Sequence, residues 1–257
     1  MTDAWQPDQY HRFAQERQQP FHDLLALLRP VPGGRVVDFG CGTGELTALD
    51  HVRLQAKETI GIDRSAAMRA KVPTADGLSF RAGDLRATEG LGPVDVVIAS
   101  ASLHWVPDHA SVLAAWAGLL GTGGQLAVQV PANVDHPSHT TSAQLATESP
   151  FIDALDGHPP ADPVHSVLRP EEYAVLLDGL GFGEQHVRLQ VYGHHLASTA
   201  DVVEWVKGTS LTRFKERLAP ELYEEFVDRY RRRLVAVLGD HRPFFYPFKR
   251  ILFWARR

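Results

Sequence analysis

The sequence predicts an α/β protein built on a doubly wound, mostly parallel sheet, with an antiparallel C-terminal strand and a helical cap over a pocket. Three observations lead there. Short Val- and Ile-rich runs alternate with helix-length segments through the first half of the chain, the pattern of β-α units joined by right-handed crossovers. A glycine-rich turn, Gly40-Cys41-Gly42-Thr43-Gly44, follows the first of these runs directly. The second run ends in Asp63, about twenty residues beyond the glycines, where a nucleotide-binding βαβ unit keeps the carboxylate that accepts from ribose hydroxyls. Together they give a Rossmann-like arrangement.

The bulk numbers suit one such domain. At 257 residues, 44% hydrophobic and 22% charged, the chain can bury a sizeable core and still hold a small cap. We divide it into lid or cover helices over 1–30, a nucleotide-binding Rossmann-like core over 31–132, a cap insert over 133–235 and a C-terminal segment over 236–257. The cap insert includes one core strand near 185–192, and the C-terminal segment holds the strand that completes the sheet. A net charge of -5 argues against a nucleic-acid partner but leaves room for a local cationic pocket. Cys41 is the single cysteine, so an internal disulfide is excluded and a reducing cytoplasm is expected. No apolar run of about 18 residues is present, and no membrane partner is expected.

Taken in order, the elements are these. Trp5 to Arg17 is aromatic and polar together, and Tyr10, Phe13 and Arg17 share one helical face, as a lid or a plain cover over a sheet edge would require. A helix follows to Leu28, with Pro20 suited to its first turn. Arg35–Phe39 is a buried strand, and Glu45 opens the next helix. Glu58–Ile62 is the second strand, Ser65 the N-cap of a short helix, and Leu78–Ala82 the third strand, running into Asp84. Val94–Ser100 is almost continuously apolar, as a strand buried on both faces must be. Ligands bind beyond the carboxyl ends of such strands, so Ser100, His104 and Trp105 belong to the pocket. His104 and His109 lack a third metal ligand at a convincing spacing, and no metal is assigned. A helix over 111–120 precedes a strand over 125–131. The stretch from Asn133 to Pro170, rich in proline and histidine, interrupts regular structure. Later come a helix from Pro170, a strand over 185–192 ending near His194, amphipathic helices over 200–209 and 220–238, and an aromatic strand over 248–255. In the second of those helices the acidic residues lead and Arg229 to Arg233 follow, which suits the helix dipole and marks a solvated face.

The glycine spacing separates possible ligands. A dinucleotide fingerprint needs a third glycine at 45, and Glu45 stands there, where it would repel a pyrophosphate. A nicotinamide-dependent oxidoreductase is therefore disfavoured. Asp38 stands before the glycines, within reach of an amino-acid ammonium group. The order D-x-G-x-G-x-G with an acidic strand end is similar to the first two motifs of class I S-adenosylmethionine-dependent methyltransferases. A further likeness runs nearly end to end. Trp5-x-Pro7-x-x-Tyr10-x-x-Phe13-x-x-x-Arg17-x-x-Pro20, Gly61-Ile62-Asp63-x-Ser65-x-x-Met68, Ala101 to His109, Leu126 to Pro131 with Asn133, and Phe248-x-Arg250-x-x-Phe253 resemble the trans-aconitate 2-methyltransferase family.

The resemblance implies methyl transfer from S-adenosyl-L-methionine to a carboxylate of a small polycarboxylic acid, with S-adenosyl-L-homocysteine as product. It implies cofactor contacts from Asp38, Gly40, Cys41, Gly42, Gly44, Asp63, Arg64, Asp84, Leu85, Ser100 and Arg17. Acceptor contacts are expected from Tyr10, Phe13, Arg17, His104, Trp105, Arg188, Tyr192 and His194, with Arg12 and Arg250 as further cationic candidates. No catalytic acid or base is assigned, because a carboxylate with a pKa of about 4 is already ionised at neutral pH. In an alternative reading the acceptor is another small metabolite, methylated on oxygen or nitrogen with His104 as general base. A non-catalytic binding module is a third possibility, which the pocket aromatics weigh against. A monomer or weak homodimer is expected.

Overall fold

The computed structural model describes residues 14–257, with side chains from Gln18 onward. Tyr10, Arg12, Phe13 and the Arg17 side chain lie outside the described residues. Among the described residues the sheet has seven strands in the order β3-β2-β1-β4-β5-β7-β6. They are β1 Arg35–Phe39, β2 Glu58–Asp63, β3 Leu78–Ala82, β4 Val94–Ser100, β5 Leu120–Pro131, β6 Glu184–Leu196 and β7 Phe244–Arg256. The pairs among β1 to β5 are parallel, and β7 is antiparallel to both its neighbours.

The two faces follow from strand alternation. Val37, Phe39, Val97, Ala99, Leu126, Val128 and Phe253 point to one side, where helices α4 (His109–Leu119) and α7 (Pro170–Gly179) bring Trp116, Tyr173 and Leu177. Trp116 stacks on Phe39 at 4.7 Å. Val36, Val96, Ile98, Ala127, Leu252 and Trp254 point to the other, under helices α1 (Ala14–Leu25) and α2 (Glu45–Leu54). Central strands buried on both faces must be apolar at almost every position, and β4 is buried throughout except at Asp95 and the half-buried Ser100. Short α3 (Ala66–Arg69) follows β2, capped by the Ser65 hydroxyl, which accepts from the Met68 N–H at 3.2 Å.

A third core lies beyond the sheet. Helices α6 (Phe151–Ala154), α8 (Asp201–Lys207), α9 (Thr212–Lys215) and α10 (Pro220–Leu238) pack their apolar faces together and onto Phe244, Tyr246 and Phe248, joined by Leu145 of α5 (Pro137–Leu145). In α10 the buried positions 223, 226, 227, 230 and 234 keep helical spacing. Its arginines lie on the outer face, where Arg229 pairs with Glu225, Arg231 with Glu204 and Asp228, and Arg233 with Glu148.

Several boundaries differ from the sequence expectation, each for a physical reason. β6 and β7 extend past 192 and begin before 248, because His194, Leu196, Phe244, Tyr246 and Phe248 alternate inward against the cap. β5 starts at Leu120 instead of 125, so Gly121 to Gly124 lie inside the strand, at a register shift against β4. Pro20 sits within α1 instead of at its first turn; its fixed φ is helical and only one N–H is lost. Helix α5, within the stretch read as irregular, buries Ser138, His139, Thr141 and Ser142 beside Leu145. Its inward face is polar, so hydrophobic periodicity cannot reveal it.

Candidate functional site

The site grows from the end of β1. Gly40 and Cys41 both donate their N–H to the Ile62 carbonyl, at 2.7 and 3.1 Å, which turns the chain back over β2. The three glycines have positive φ: 80° at Gly40, 57° at Gly42 and 74° at Gly44, the N-cap of α2. They are bare for different reasons. A Cβ on Gly40 would sit 2.2 Å from the Ser102 Cβ, and one on Gly44 2.5 Å from the Phe80 ring. At Gly42 the nearest atom would be the Met68 methyl at an ordinary 3.5 Å. The main chain is therefore bare towards open space at Gly42, whereas at Gly40 and Gly44 the protein's own side chains take the room a Cβ would need, and Gly44 does not line the cavity.

Asp63, at the end of β2, ties the turn together. One carboxylate oxygen accepts from the Gly42 N–H at 2.9 Å and the other from the Ser65 N–H at 2.8 Å. Asp38 is 4% exposed and accepts from the Thr47 hydroxyl at 2.5 Å. Its second oxygen has no hydrogen-bond partner among the described residues. Burial, against the Thr47 bond and with the Asp63 charge, raises its pKa to about 6. Burial likewise pushes the Cys41 thiol up, with Asp38 and Asp63 adding to the shift, so it is no thiolate nucleophile.

A cavity of about 320 Å³ opens at the carboxyl ends of β1, β2, β4 and β5. One end is walled by Asp38, Gly40, Cys41, Gly42, Asp63, Arg64, Asp84 and Leu85. Asp84 is ion-paired with Arg86 at 2.7 Å, and this hydrogen bond holds its carboxyl below the usual carboxylate range. Ser100, His104 and Trp105 form the middle, with the two rings 4.9 Å apart. The other end takes Gln129 and Arg250 from the sheet with His139, Asp162, Trp205 and Ser210 from the cap. Arg250 is buried, donates to the Gln129 side-chain oxygen at 2.7 Å and lies 5.1 Å over the Phe248 ring. His104 is also buried, and burial with the Arg250 charge lowers its pKa to about 3.

Three expected residues stand elsewhere. Arg188 and Tyr192 point to the α1 face of the sheet, where the Tyr192 hydroxyl donates to Asp23 at 2.8 Å. His194 lies a layer behind the wall, 4.7 Å from the Trp205 ring. Among the described residues no cluster of His, Cys, Asp and Glu could hold a metal ion, and no helix is long and apolar enough to cross a membrane. His109 is hydrogen-bonded to the Tyr173 hydroxyl at 2.6 Å on the far face of the sheet.

Known proteins show which family the chain belongs to. A family described as a methyltransferase domain matches residues 10–186. The trans-aconitate 2-methyltransferase of Deinococcus radiodurans is 41% identical over 259 aligned positions, covering 99% of this chain and 98% of that protein. The protein of the same name from Streptomyces avermitilis is 37% identical, covering 99% and 97%. The chain belongs to the trans-aconitate 2-methyltransferase family. It is an S-adenosylmethionine-dependent methyltransferase. Solved structures agree on the fold. The YcgJ protein of Bacillus subtilis superimposes with a TM-score of 0.59 at 14% identity, covering 93% of this chain and 98% of that one. Phosphoethanolamine N-methyltransferase 2 of Haemonchus contortus, in complex with S-adenosyl-L-methionine, gives 0.55 at 14% identity, covering 93% and 52%.

In this trans-aconitate 2-methyltransferase family member, sequence reasoning passed over Gln129, His139, Asp162, Trp205 and Ser210. Gln129 had a usable signal, since a buried amide in the last turn of a strand beside the pocket is unusual. The cap residues had none: His139 and Asp162 lie in a stretch without hydrophobic period, the period around Trp205 marks it only as core, and all of them meet only in the folded chain.

Proposed function

We propose that this enzyme transfers the methyl group of S-adenosyl-L-methionine to a carboxylate oxygen of trans-aconitate or a closely similar polycarboxylic acid. The products are a monomethyl ester and S-adenosyl-L-homocysteine. One observation carries the reading: a single cavity joins the carboxylate-rimmed glycine turn to a buried arginine and two imidazoles. The first end suits a nucleoside and an amino-acid ammonium group, the second an acid.

The residues at the glycine end fit the cofactor. The unpartnered Asp38 oxygen is placed for its ammonium group, Asp63 for its ribose, Asp84 and Leu85 for its adenine, and Gly42 leaves room for its body. When bound, S-adenosyl-L-methionine supplies an activated methyl group. The protein's part is to hold the acceptor oxygen in line and keep water away. Arg250 neutralises a non-reacting carboxylate, oriented by Gln129. Trp105 and Trp205 exclude water from the walls. His104, neutral at physiological pH, serves as a hydrogen-bonding wall; with a pKa of about 3 it is a poor general base, and an ionised carboxylate needs none.

The test is calorimetric binding of S-adenosyl-L-homocysteine together with turnover of trans-aconitate using labelled methyl donor. Absence of binding defeats the class; binding without turnover defeats the acceptor. Arg250→Ala is expected to cut kcat/KM by about 100-fold or more, from loss of a charge-assisted contact and a stranded Gln129, while leaving S-adenosyl-L-homocysteine affinity nearly unchanged. Asp38 gives a pH signature. Its protonated form cannot pair with an ammonium group, so affinity for S-adenosyl-L-homocysteine should weaken as pH falls through about 6 and be level above it. A flat profile between pH values of about 5 and 7 would remove Asp38 from that role.

A further inference from the structure

The cap end of the cavity holds a buried charge cluster that the chemistry above leaves unused. Asp162 is 4% exposed and lines the cavity. One of its oxygens accepts from the Val164 N–H at 3.1 Å; the other meets His139 Nδ1 at 2.9 Å and the Arg213 guanidinium at 2.5 Å. Burial pushes this carboxyl up, but the His139 bond and the Arg213 charge outweigh it and hold the group well below the usual carboxylate range. Asp162 is therefore ionised, on the wall of a cavity read as accepting an anion.

The surrounding bonds make the cluster rigid. Arg213, from α9, donates to the Ser142 hydroxyl at 3.3 Å, and that hydroxyl donates to the His139 carbonyl at 2.9 Å. Tyr230, from α10, donates to the Ser138 carbonyl at 2.8 Å. The loop, α9 and α10 thus brace the helical turn that carries His139, and Asp162 holds its imidazole. With Nδ1 facing an ionised carboxylate, the ring keeps its proton there and presents Nε2 to whatever enters the cavity. The charged and titratable groups bearing on His139 are Asp162 and Arg213, His136 on its own helix, and His104 across the cavity. The Arg250 charge acts on the same His104, which places both ends of an acid-binding surface around one ring.

A polycarboxylic acceptor brings carboxylates besides the one that reacts, and Arg250 can serve one of them. We propose that His139 is a specificity-determining residue that binds a second non-reacting carboxylate through Nε2 as an imidazolium, with Asp162 as its counter-ion and Arg213 fixing Asp162. The inference rests on the polycarboxylate reading above. In the complex both ring nitrogens carry a proton, Nδ1 towards Asp162 and Nε2 towards the acceptor, and no bond to carbon changes. Asp162 and Arg213 act through His139 and are positioning residues.

The experiment is steady-state kinetics with trans-aconitate, beside calorimetry with S-adenosyl-L-homocysteine. His139→Ala should raise KM for trans-aconitate by about 10- to 100-fold, the worth of one charge-assisted bond. Its kcat should stay within about threefold of wild type, since the contact is made equally in ground and transition states. His139→Gln, which keeps a donor but carries no charge, should recover part of the affinity. Asp162→Asn, which leaves the ring without its counter-ion, should raise KM in the same direction as His139→Ala with kcat again nearly unchanged. An unchanged KM in His139→Ala overturns the proposal. So does loss of S-adenosyl-L-homocysteine binding in both His139 variants, which would make the residue structural. Failure of the functional reading looks different: the wild type would bind S-adenosyl-L-homocysteine and methylate no polycarboxylic acid at all.

Discussion

Asp63→Ala is expected to weaken S-adenosyl-L-homocysteine binding by about 100-fold or more, the largest effect of any single change at the cofactor end. The residue does two jobs with one carboxylate. It holds the Gly42 and Ser65 N–H groups, at 2.9 and 2.8 Å, and so fixes both the glycine turn and the start of α3. It also retains lone pairs towards the cavity, where a ribose would lie. Removing it releases two charge-assisted bonds of about 1.5–3 kcal/mol each and strands two buried donors. Asp63→Asn keeps one acceptor oxygen and should fall between wild type and alanine. Calorimetric titration of all three proteins reads this directly; an alanine variant within about threefold of wild type would mean the turn is held by other contacts.

The second large effect separates two glycines that look alike in sequence. Gly40→Ala places a methyl 2.2 Å from the Ser102 Cβ and 2.8 Å from its hydroxyl, which is itself bonded to the Phe39 carbonyl at 2.6 Å. Overpacking and a left-handed backbone together cost about 2–5 kcal/mol. For a domain of this size that lowers Tm by about 5–15 °C. Gly42→Ala meets nothing closer than 3.5 Å and carries only the conformational cost, about 1–2 kcal/mol. Its methyl faces the cavity, so the loss should appear in S-adenosyl-L-homocysteine affinity more than in melting temperature. Equal Tm losses in the two variants would contradict the packing described.

This contrast marks what sequence could and could not disclose. The pattern Asp38 to Gly44 with Asp63 is legible because a β-α turn is made from one short stretch whose backbone demands are local. His104 and Trp105 are legible by their place just past a fully buried strand. Which glycine is bare for a ligand and which for Phe80 or Ser102 is not legible, since those partners come from other strands. Strand alternation puts Arg188 and Tyr192 on one face of β6, but only the position of α1 shows that this face is covered by helix and not by ligand. Asp162, Arg213 and His139 come from a loop, a single helical turn and a helix whose buried side is polar but for Leu145, so no period announces them.

The place of β7 carries a consequence for how the two ends of the cavity come into being. Among the described residues strand β6 has no other neighbour in the sheet, so it stays unpaired until the later-made β7 slots between it and β5. The glycine-turn end of the cavity draws on a contiguous run of chain that is made early during synthesis. The cap end waits for Arg250 and the aromatic residues of the final hairpin arm. On the proposed function, a nascent chain halted before that arm would own a cofactor cradle without the arginine that meets the acid.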